Sequence, residues 1–338
     1  MIAKQTMAKT LGLGILVTAL VLGLAACAAA PAAPTAAPTP APAPTETPPA
    51  PTATAVPEPA EPAATILTMA RTFDLDVKPH DIAVDGDGNL YAVDLQNAEI
   101  VKYDMDGKRL AAWGGRGSEE GQFEFLAPPD GPPIDGGFVT VDGDGNVYVS
   151  DSFNNRVQKF DGDGNFLAAW STVGAEDAIL NLPGPISIDV QGILNVADFS
   201  GVHQYDLDGN FAGTISAAGE TAVNSQGTRY VSLAFQNMVF KLDGDNQVVG
   251  QWGSQGTGDG QFDTPMLLVI DSQDGVYVSD HTGRIQKFDA DGAFQGAWFP
   301  EADSGEPTPL LLAMTIDGND NIYAAAKDRT TVYVLRRS

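Results

Sequence analysis

The stretch that decides the fold runs from Val141 to Phe160 and reads VDGDGNVYVSDSFNNRVQKF. It starts at the end of one strand, passes through a turn rich in Asp and Gly, and enters an aromatic strand at 147–151. A short loop leads to a further strand at 156–160, and a second Asp/Gly turn leads to a strand at 166–170. Asp and Gly supply the positive φ and the side-chain-to-backbone hydrogen bonds of tight hairpins. The pattern therefore predicts four short antiparallel strands in succession.

This four-strand unit recurs, and the end of its first strand is marked each time by Val or Ile followed by Asp or Asn. The marks stand at Val84-Asp85, Val141-Asp142, Ile188-Asp189, Val223-Asn224, Ile270-Asp271 and Ile316-Asp317. The mean interval is about 46 residues, which is typical of repeat architectures. Six such units predict an all-β, six-bladed β-propeller, in which each unit is a twisted sheet packed around a central channel. A linear solenoid would instead leave both end faces exposed.

The two ends of the repeat region complement each other. The sixth repeat stops after its third strand at 331–335, and residues 65–73 form an unpaired strand ahead of the first repeat. We expect this N-terminal strand to complete blade six, because the pairing closes the ring and removes both free sheet edges. The predicted propeller domain is 64–338.

Two further motifs share one spacing, in which Trp-Gly is followed by Gly-Gln-Phe. They are Trp113-Gly114 with Gly121-Gln122-Phe123, and Trp252-Gly253 with Gly260-Gln261-Phe262. Together with the stretch quoted above, they make residues 64–338 resemble the NHL repeat family. The resemblance implies a six-bladed propeller. It also raises three functions known among relatives of this fold: RNA binding on a basic rim, lactonase-like hydrolysis with calcium in the channel, and amide lysis with zinc.

The N-terminus has the parts of an export signal. Lys4 and Lys9 precede an apolar run at 11–24, which is too short to span a bilayer comfortably. The run ends in Leu-Ala-Ala before Cys27, which resembles the lipobox of bacterial lipoproteins and implies that Cys27 is acylated. We therefore expect a lipoprotein signal peptide at 1–26 and a protein anchored on the outer side of the cell membrane. The alternative is an ordinary signal peptide with an incidental cysteine.

Residues 27–63 follow the predicted signal peptide and consist almost entirely of Ala, Pro and Thr. Such a segment cannot bury a core, so we expect a disordered, extended stalk between the lipid and the propeller. Cys27 is the only cysteine, which excludes an intramolecular disulfide.

The charge balance is strongly acidic, with 44 Asp and Glu against 18 Lys and Arg. Such a field repels phosphate backbones, so we expect no nucleic-acid partner. The RNA-binding function of some NHL propellers is therefore not carried over.

Loops between blades, and loops joining second to third strands, emerge on one face of a propeller. We call this the rim face, and it is the place where ligands usually bind on such a scaffold. The candidate ligand residues in these loops are Arg116, Phe125, Asn154, Asn155, Arg156, Phe199, Gln236, His281 and Arg284. Aromatic, amide and arginine groups of this kind suit a protein, peptide or glycan partner. We expect Gln122-Phe123 and Gln261-Phe262 to pack their loops onto the sheet instead.

Metal sites are weakly supported by the sequence. The Asp-Gly runs at 85–89, 142–146 and 161–165 have no carboxylate at the twelfth position that an EF-hand requires, and we interpret them as hairpin turns. Asp81 and Glu220 occupy equivalent places at the channel mouth, so calcium there is the alternative. The four other blades place Phe138, Pro185, Leu267 and Ala313 at this position.

Catalytic residues are equally scarce. The chain has three histidines, His80, His203 and His281, and their strand positions do not predict convergence on zinc. No Gly-x-Ser-x-Gly elbow occurs, and no serine has an obvious His-Asp pair nearby. The aspartates that end second strands recur from blade to blade, which indicates a structural role in capping loop amides.

The sequence thus favours a non-enzymatic scaffold that binds a protein, peptide or glycan on its rim face, and no cofactor is predicted. The alternative is a metal-dependent, lactonase-like hydrolase or lyase, using calcium or zinc, with Asp81 and Glu220 as metal ligands.

Overall fold

The computed structural model describes residues 66–128, 136–174, 179–215, 219–300, 309–327 and 329–338. The predicted signal peptide, Cys27 and the linker at 27–63 lie outside these residues. Within them the chain is all β, apart from two single-turn 3-10 helices at Ser152–Asn154 and Ala234–Gln236. None of the described residues forms a helix long and apolar enough to cross a membrane.

The strands form six antiparallel sheets of four strands each, which confirms the six-bladed propeller. Blade one consists of β2 (Ile82–Val84), β3 (Leu90–Asp94), β4 (Glu99–Tyr103) and β5 (Arg109–Gly114). Blade two consists of β6 (Phe138–Val141), β7 (Val147–Asp151), β8 (Arg156–Phe160) and β9 (Phe166–Trp170). Blade three consists of β10 (Ile186–Ile188), β11 (Leu194–Asp198), β12 (Gly201–Tyr205) and β13 (Phe211–Ile215). Blade four consists of β14 (Glu220–Val223), β15 (Arg229–Leu233), β16 (Met238–Leu242) and β17 (Val248–Trp252). Blade five consists of β18 (Pro265–Ile270), β19 (Val276–Asp280), β20 (Ile285–Phe288) and β21 (Phe294–Trp298). Blade six consists of β22 (Leu311–Ile316), β23 (Ile322–Ala326), β24 (Thr331–Arg337) and β1 (Leu67–Asp74).

The N-terminal strand closes the ring as predicted. β1 pairs antiparallel with β24, with Leu67 opposite Arg337 and Asp74 opposite Thr331. β24 continues two residues beyond the predicted end at 335, because β1 offers partners to Arg336 and Arg337. The outer strand of blade six therefore comes from the opposite end of the chain.

The turn between the first and second strands is held by its leading aspartate. Asp85 Oδ1 accepts the backbone N–H groups of Asp87 and Asn89, and its Oδ2 accepts the Asn89 side-chain amide and the Tyr91 hydroxyl. Asp142 makes the same four bonds in blade two. The leading carboxylate of each of these two Asp-Gly runs is thus engaged in hairpin geometry.

Neighbouring blades pack a tryptophan of the fourth strand against a glycine of the next blade's turn. A Cβ at Gly164, whose φ is +86°, would lie 2.6 Å from the Trp113 ring. The same contact recurs between Trp170 and Gly209 and between Trp252 and Gly292. Only glycine satisfies both the positive φ and this close approach.

Candidate functional site

The channel is lined by the six first strands, which neighbour one another around the ring. Its volume is about 290 Å³. In blades two and four, the strand register places Phe138 opposite Ser150 and Glu220 opposite Ser232. In blade one, Asp81 pairs with Val93, which holds the position of these two serines. Asp81, Phe138 and Glu220 therefore occupy equivalent positions. Blades one and four stand opposite each other in a ring of six, so the two carboxylates enter the channel from opposite sides.

The channel is acidic. Asp81, Asp189 and Glu220 line the channel, and among the described residues no Lys, Arg or His lines it. Burial raises the pKa of Asp81 to about 7, although its Oδ2 accepts the backbone N–H of Val139 at 2.8 Å. Burial, together with the negative charge of Asp81, raises the pKa of Glu220 to about 8.

A second cavity, which we call the rim cleft, adjoins the channel on the rim face and has a volume of about 330 Å³. Its lining is mainly apolar and comes from blades two to five: Phe138, Phe153, Leu182, Pro183, Gly184, Pro185, Ala197, Phe199, Gly219 and Met266. Phe138, Pro185 and Glu220 line both the rim cleft and the channel. A ligand in the rim cleft would therefore meet the channel at Glu220.

The polar groups of the rim cleft are Ser152, Asp198 and Glu220. Ser152 donates to the Pro183 carbonyl and accepts from the Gly137 N–H, and Asp198 accepts backbone N–H groups of the rim loops. In the part of the chain that the structure describes, Glu220 has no side-chain hydrogen bond. It is the polar group of the cleft that remains available to a ligand.

Three successive blades present a phenylalanine from the loop between their second and third strands. These are Phe153, Phe199 and Phe235, and we call them the aromatic arc. Phe199 is 69% exposed and Phe235 is 98% exposed. Only Phe199 was among the predicted rim residues. A phenylalanine in the same short loop of three successive repeats is the signal that would have identified Phe153 and Phe235.

Two of the predicted ligand residues, Arg156 and Arg284, hold blade-to-blade loops. Arg284 donates to the carbonyls of Thr257, Gly258 and Gln261, and its Nε donates to Asp280 at 3.2 Å. Arg156 makes the corresponding bonds in blade two. Arg284 is buried, so its guanidinium group stabilises the loop and does not face a ligand.

The remaining predicted rim residues divide by exposure. Phe125 requires a correction, because it is fully buried and stacks on Phe123 with 4.8 Å between ring centroids. Asn154 donates to the Gly117 carbonyl, and Asn155 accepts the Leu182 N–H, so both fix loops. The exposed members are Arg116, which pairs with Glu124, and Phe199, Gln236 and His281. The buried Phe123 and Phe262 pack their loops onto the sheet, as predicted.

Blade three contains a serine beside a His-Asp pair, which corrects the sequence analysis. His203 Nε2 lies 2.9 Å from Asp198 Oδ1 and 3.1 Å from Ser200 Oγ, while its Nδ1 lies 2.9 Å from Thr214 Oγ1. A catalytic triad needs the serine and the aspartate on opposite ring nitrogens. Here both are on Nε2 and Ser200 donates to Asp198, so the cluster caps a loop.

The histidines do not come together. His80 packs against the Phe138 ring in blade two, His203 is buried in blade three, and His281 is exposed in blade five. Over the described ranges, no group of three or more His, Cys, Asp or Glu side chains is arranged to hold a metal ion.

The six sheets, the channel and the closing N-terminal strand define a six-bladed β-propeller. Its curated relatives include NHL repeat-containing proteins, which confirms the NHL-type resemblance. NHL repeat-containing protein 3 of Homo sapiens is 28% identical over 185 residues, covering 53% of this chain and 45% of that protein. The protein of that name from Mus musculus is 27% identical over 212 residues, covering 55% and 60%.

A third relative is a probable peptidyl-alpha-hydroxyglycine alpha-amidating lyase of Caenorhabditis elegans, 25% identical over 121 residues, covering 35% of this chain and 32% of that protein. The chain spans about half the length of the curated relatives it matches. No known family profile matches it.

Solved structures share the fold. A streptogramin B lyase has a TM-score of 0.51 and 13% identity, covering 81% of this chain and 98% of its own. A Bacteroides thetaiotaomicron protein of unknown function has a TM-score of 0.56 and 13% identity, covering 80% and 76%. At these identities the likeness shows the fold alone.

Proposed function

We propose that the protein is a non-enzymatic binding scaffold that takes a peptide, or a segment of another protein, in the rim cleft. The observation that carries this proposal is an apolar cleft of about 330 Å³ beside exposed aromatic side chains on the face where propeller loops converge. A glycan fits the cleft less well. Its hydroxyls would find Ser152 and Asp198 already bonded, and buried hydroxyls without partners are costly.

The proposal includes the location of the scaffold. A lipid on Cys27 and the Ala/Pro/Thr linker at 27–63 would present the rim face outside the cell membrane, and the sequence pattern supports this. A Cys27→Ala variant is expected to leave the membrane fraction or to retain its signal peptide. Unchanged membrane retention of correctly cleaved Cys27→Ala protein would count against the anchor.

A metal-dependent hydrolase or lyase is the second candidate, because Asp81 and Glu220 share the channel mouth. The similar proteins described above include lyases, which is a second reason to test this reaction class. The residues present fit a metal poorly, since the four other blades place Phe138, Pro185, Leu267 and Ala313 at that level. Calcium takes six to eight oxygen ligands, so two carboxylates supply a minority of them.

Thermal melting in the presence of Ca²⁺ or Zn²⁺ separates the two candidates. A specific site filled at 100 times its Kd stabilises the folded state by about 2.7 kcal/mol. We expect no such shift in Tm for the full chain. A Tm increase that disappears in Asp81→Asn and Glu220→Gln variants would favour the enzyme.

The binding function is tested by selecting peptides from a random displayed library on the immobilised full chain. Peptides selected by the rim cleft should lose affinity for Phe199→Ala and Met266→Ala variants. They should bind a Leu167→Ala variant normally, because Leu167 lies on the outer strand of blade two and is 49% exposed. Failure to enrich any peptide, or equal binding to all these variants, would reject the proposal.

A further inference from the structure

We infer that the ligand of the rim cleft carries a cation, a lysine or arginine side chain next to an apolar residue, and that Glu220 and Asp81 receive this cation at the channel mouth. The inference rests on the proposed function and names the class of ligand that the site selects.

The position of Glu220 joins the rim cleft to the channel. Glu220 belongs to the wall that the rim cleft and the channel share, together with Phe138 and Pro185. Asp81 stands on the opposite side of the same channel mouth. An apolar group seated among the aromatic and proline side chains would thus place an attached charged group between the two carboxylates.

The charge of the two cavities favours a cationic ligand. Among the residues that the structure describes, every ionisable side chain lining the two cavities is acidic: Asp81, Asp189, Asp198 and Glu220. Two of these carboxylates already have partners. Asp189 lies 3.9 Å from the Arg229 guanidinium, and Asp198 accepts hydrogen bonds from Asn181, Ser200 and His203.

The other two carboxylates have no positive partner within the described ranges. Asp81 accepts the Val139 N–H, and Glu220 has no hydrogen bond among the residues described. A half-buried carboxylate without a partner is costly, and the raised pKa values of both groups, about 7 and about 8, express that cost. A cationic ligand would provide the missing partner.

A lysine or arginine side chain matches the site in both hydrogen bonding and shape. An ammonium group donates three hydrogen bonds and a guanidinium group donates five, so two carboxylates with free acceptor positions satisfy much of either. The apolar stem of a lysine or arginine packs along hydrophobic walls while its charged end reaches a polar group. The apolar rim cleft leads to the two carboxylates of the channel mouth, so it offers a hydrophobic wall to the stem and a polar group to the charged end.

The test uses four synthetic peptides with the full chain above about pH 8.5, where both carboxylates are ionised. The probe is acetyl-Phe-Lys-Phe-amide. The controls carry Gln or Glu in place of Lys, and acetyl-Gly-Lys-Gly-amide keeps the cation without apolar neighbours. We expect calorimetry to show the Lys probe binding at least about tenfold more tightly than the Gln peptide. The Gly-flanked peptide should bind far more weakly than the probe.

Glu220→Gln should abolish this preference while leaving affinity for the Gln peptide unchanged. Asp81→Asn should reduce the preference, and its amide oxygen can still accept the Val139 N–H. The matched control is Glu120→Gln, which removes one exposed carboxylate from the same face outside both cavities. These substitutions remove charge and keep side-chain shape, so folding should persist.

Equal affinity for the Lys and Gln peptides, or a preference that survives in Glu220→Gln, would overturn the inference while leaving the proposed function intact. Binding of neither peptide, together with failure of the library selection, would reject both.

Discussion

Asp81 and Glu220 make the stability of the protein depend on pH in a direction opposite to that of most surface carboxylates. Their pKa values rise to about 7 and about 8 from ordinary values of 3.8 and 4.5. Between the ordinary and the raised pKa values, both carboxyl groups are therefore protonated in the folded chain and ionised in the unfolded chain. The stability that they contribute is complete below about pH 4 and declines as the pH rises towards 8.

We therefore expect the Tm of the wild-type chain to fall more between about pH 5 and pH 9 than the Tm of the Asp81→Asn, Glu220→Gln double variant. Asp189 and Asp198 face the same cavities, and His80 packs against Phe138; all three remain in both proteins, so the difference isolates the two carboxyl groups. Circular dichroism melts across that range provide the measurement. Parallel curves for the two proteins would contradict the account of the channel mouth.

The same residues show how far a single position can be predicted. The repeat alone placed Asp81 and Glu220 at equivalent places, because strand register is fixed within each blade. The rim cleft was not predictable, since its walls combine Phe153, Phe199 and Met266 from three different blades. Which side chains leave space between blades depends on packing, and the period of the repeat carries no information on that.

At the scale of the element, the blade-to-blade loops are held by buried polar clamps together with isolated β-bridges such as Gln255 with Phe262. In blade five, Arg284 and Gln286 both donate to the Gln261 carbonyl, and Asp280 accepts the Asp263 N–H. Gly253, with a φ of +105°, allows the Phe262 ring to pack beneath the loop, because a Cβ there would lie 2.7 Å from it. The recurring Trp-Gly and Gly-Gln-Phe motifs are thus the two ends of one loop anchor.

We predict that Arg284→Ala lowers the free energy of unfolding by about 3 kcal/mol, because it leaves Asp280 buried without its cation and removes the donor to the Thr257 and Gly258 carbonyls. Hydrogen exchange should also accelerate in the loop at 253–264. The comparison is Arg116→Ala, which removes an exposed ion pair with Glu124 worth about 0–1 kcal/mol. Urea unfolding of both variants measures the costs, and similar small values would show that the clamp is dispensable.

The sequence indicated that aspartates at the ends of second strands cap loop amides, and Asp94, Asp151 and Asp280 do so. It did not indicate that Arg156 and Arg284 complete the clamps. Their carbonyl partners lie in a loop that precedes the strand by more than twenty residues. The packing of the loop against the start of the third strand brings them together, and strand spacing alone does not show this contact, so the sequence placed these arginines among the ligand residues.

At the scale of the whole molecule, ring closure depends on one pairing between chain ends. β1 contributes the outer strand of blade six, so removing it exposes the edge of β24 and separates blade six from its complement. We expect deletion of residues 66–74 to abolish cooperative melting or to cause aggregation. Deletion of 28–63, in the predicted linker, should leave the melting transition of the propeller unchanged. A soluble, cooperatively melting 66–74 deletion would show that five complete blades suffice.

The most direct test of the account as a whole is hydrogen exchange of the full chain with and without acetyl-Phe-Lys-Phe-amide. Ligand binding in the rim cleft predicts slower exchange at the amides of Leu182, Gly184, 198–200 and 219–221, with no change at the turns 85–89 and 142–146 on the opposite face. Protection confined to those turns or to the outer strands, or no protection at saturating peptide, would contradict it.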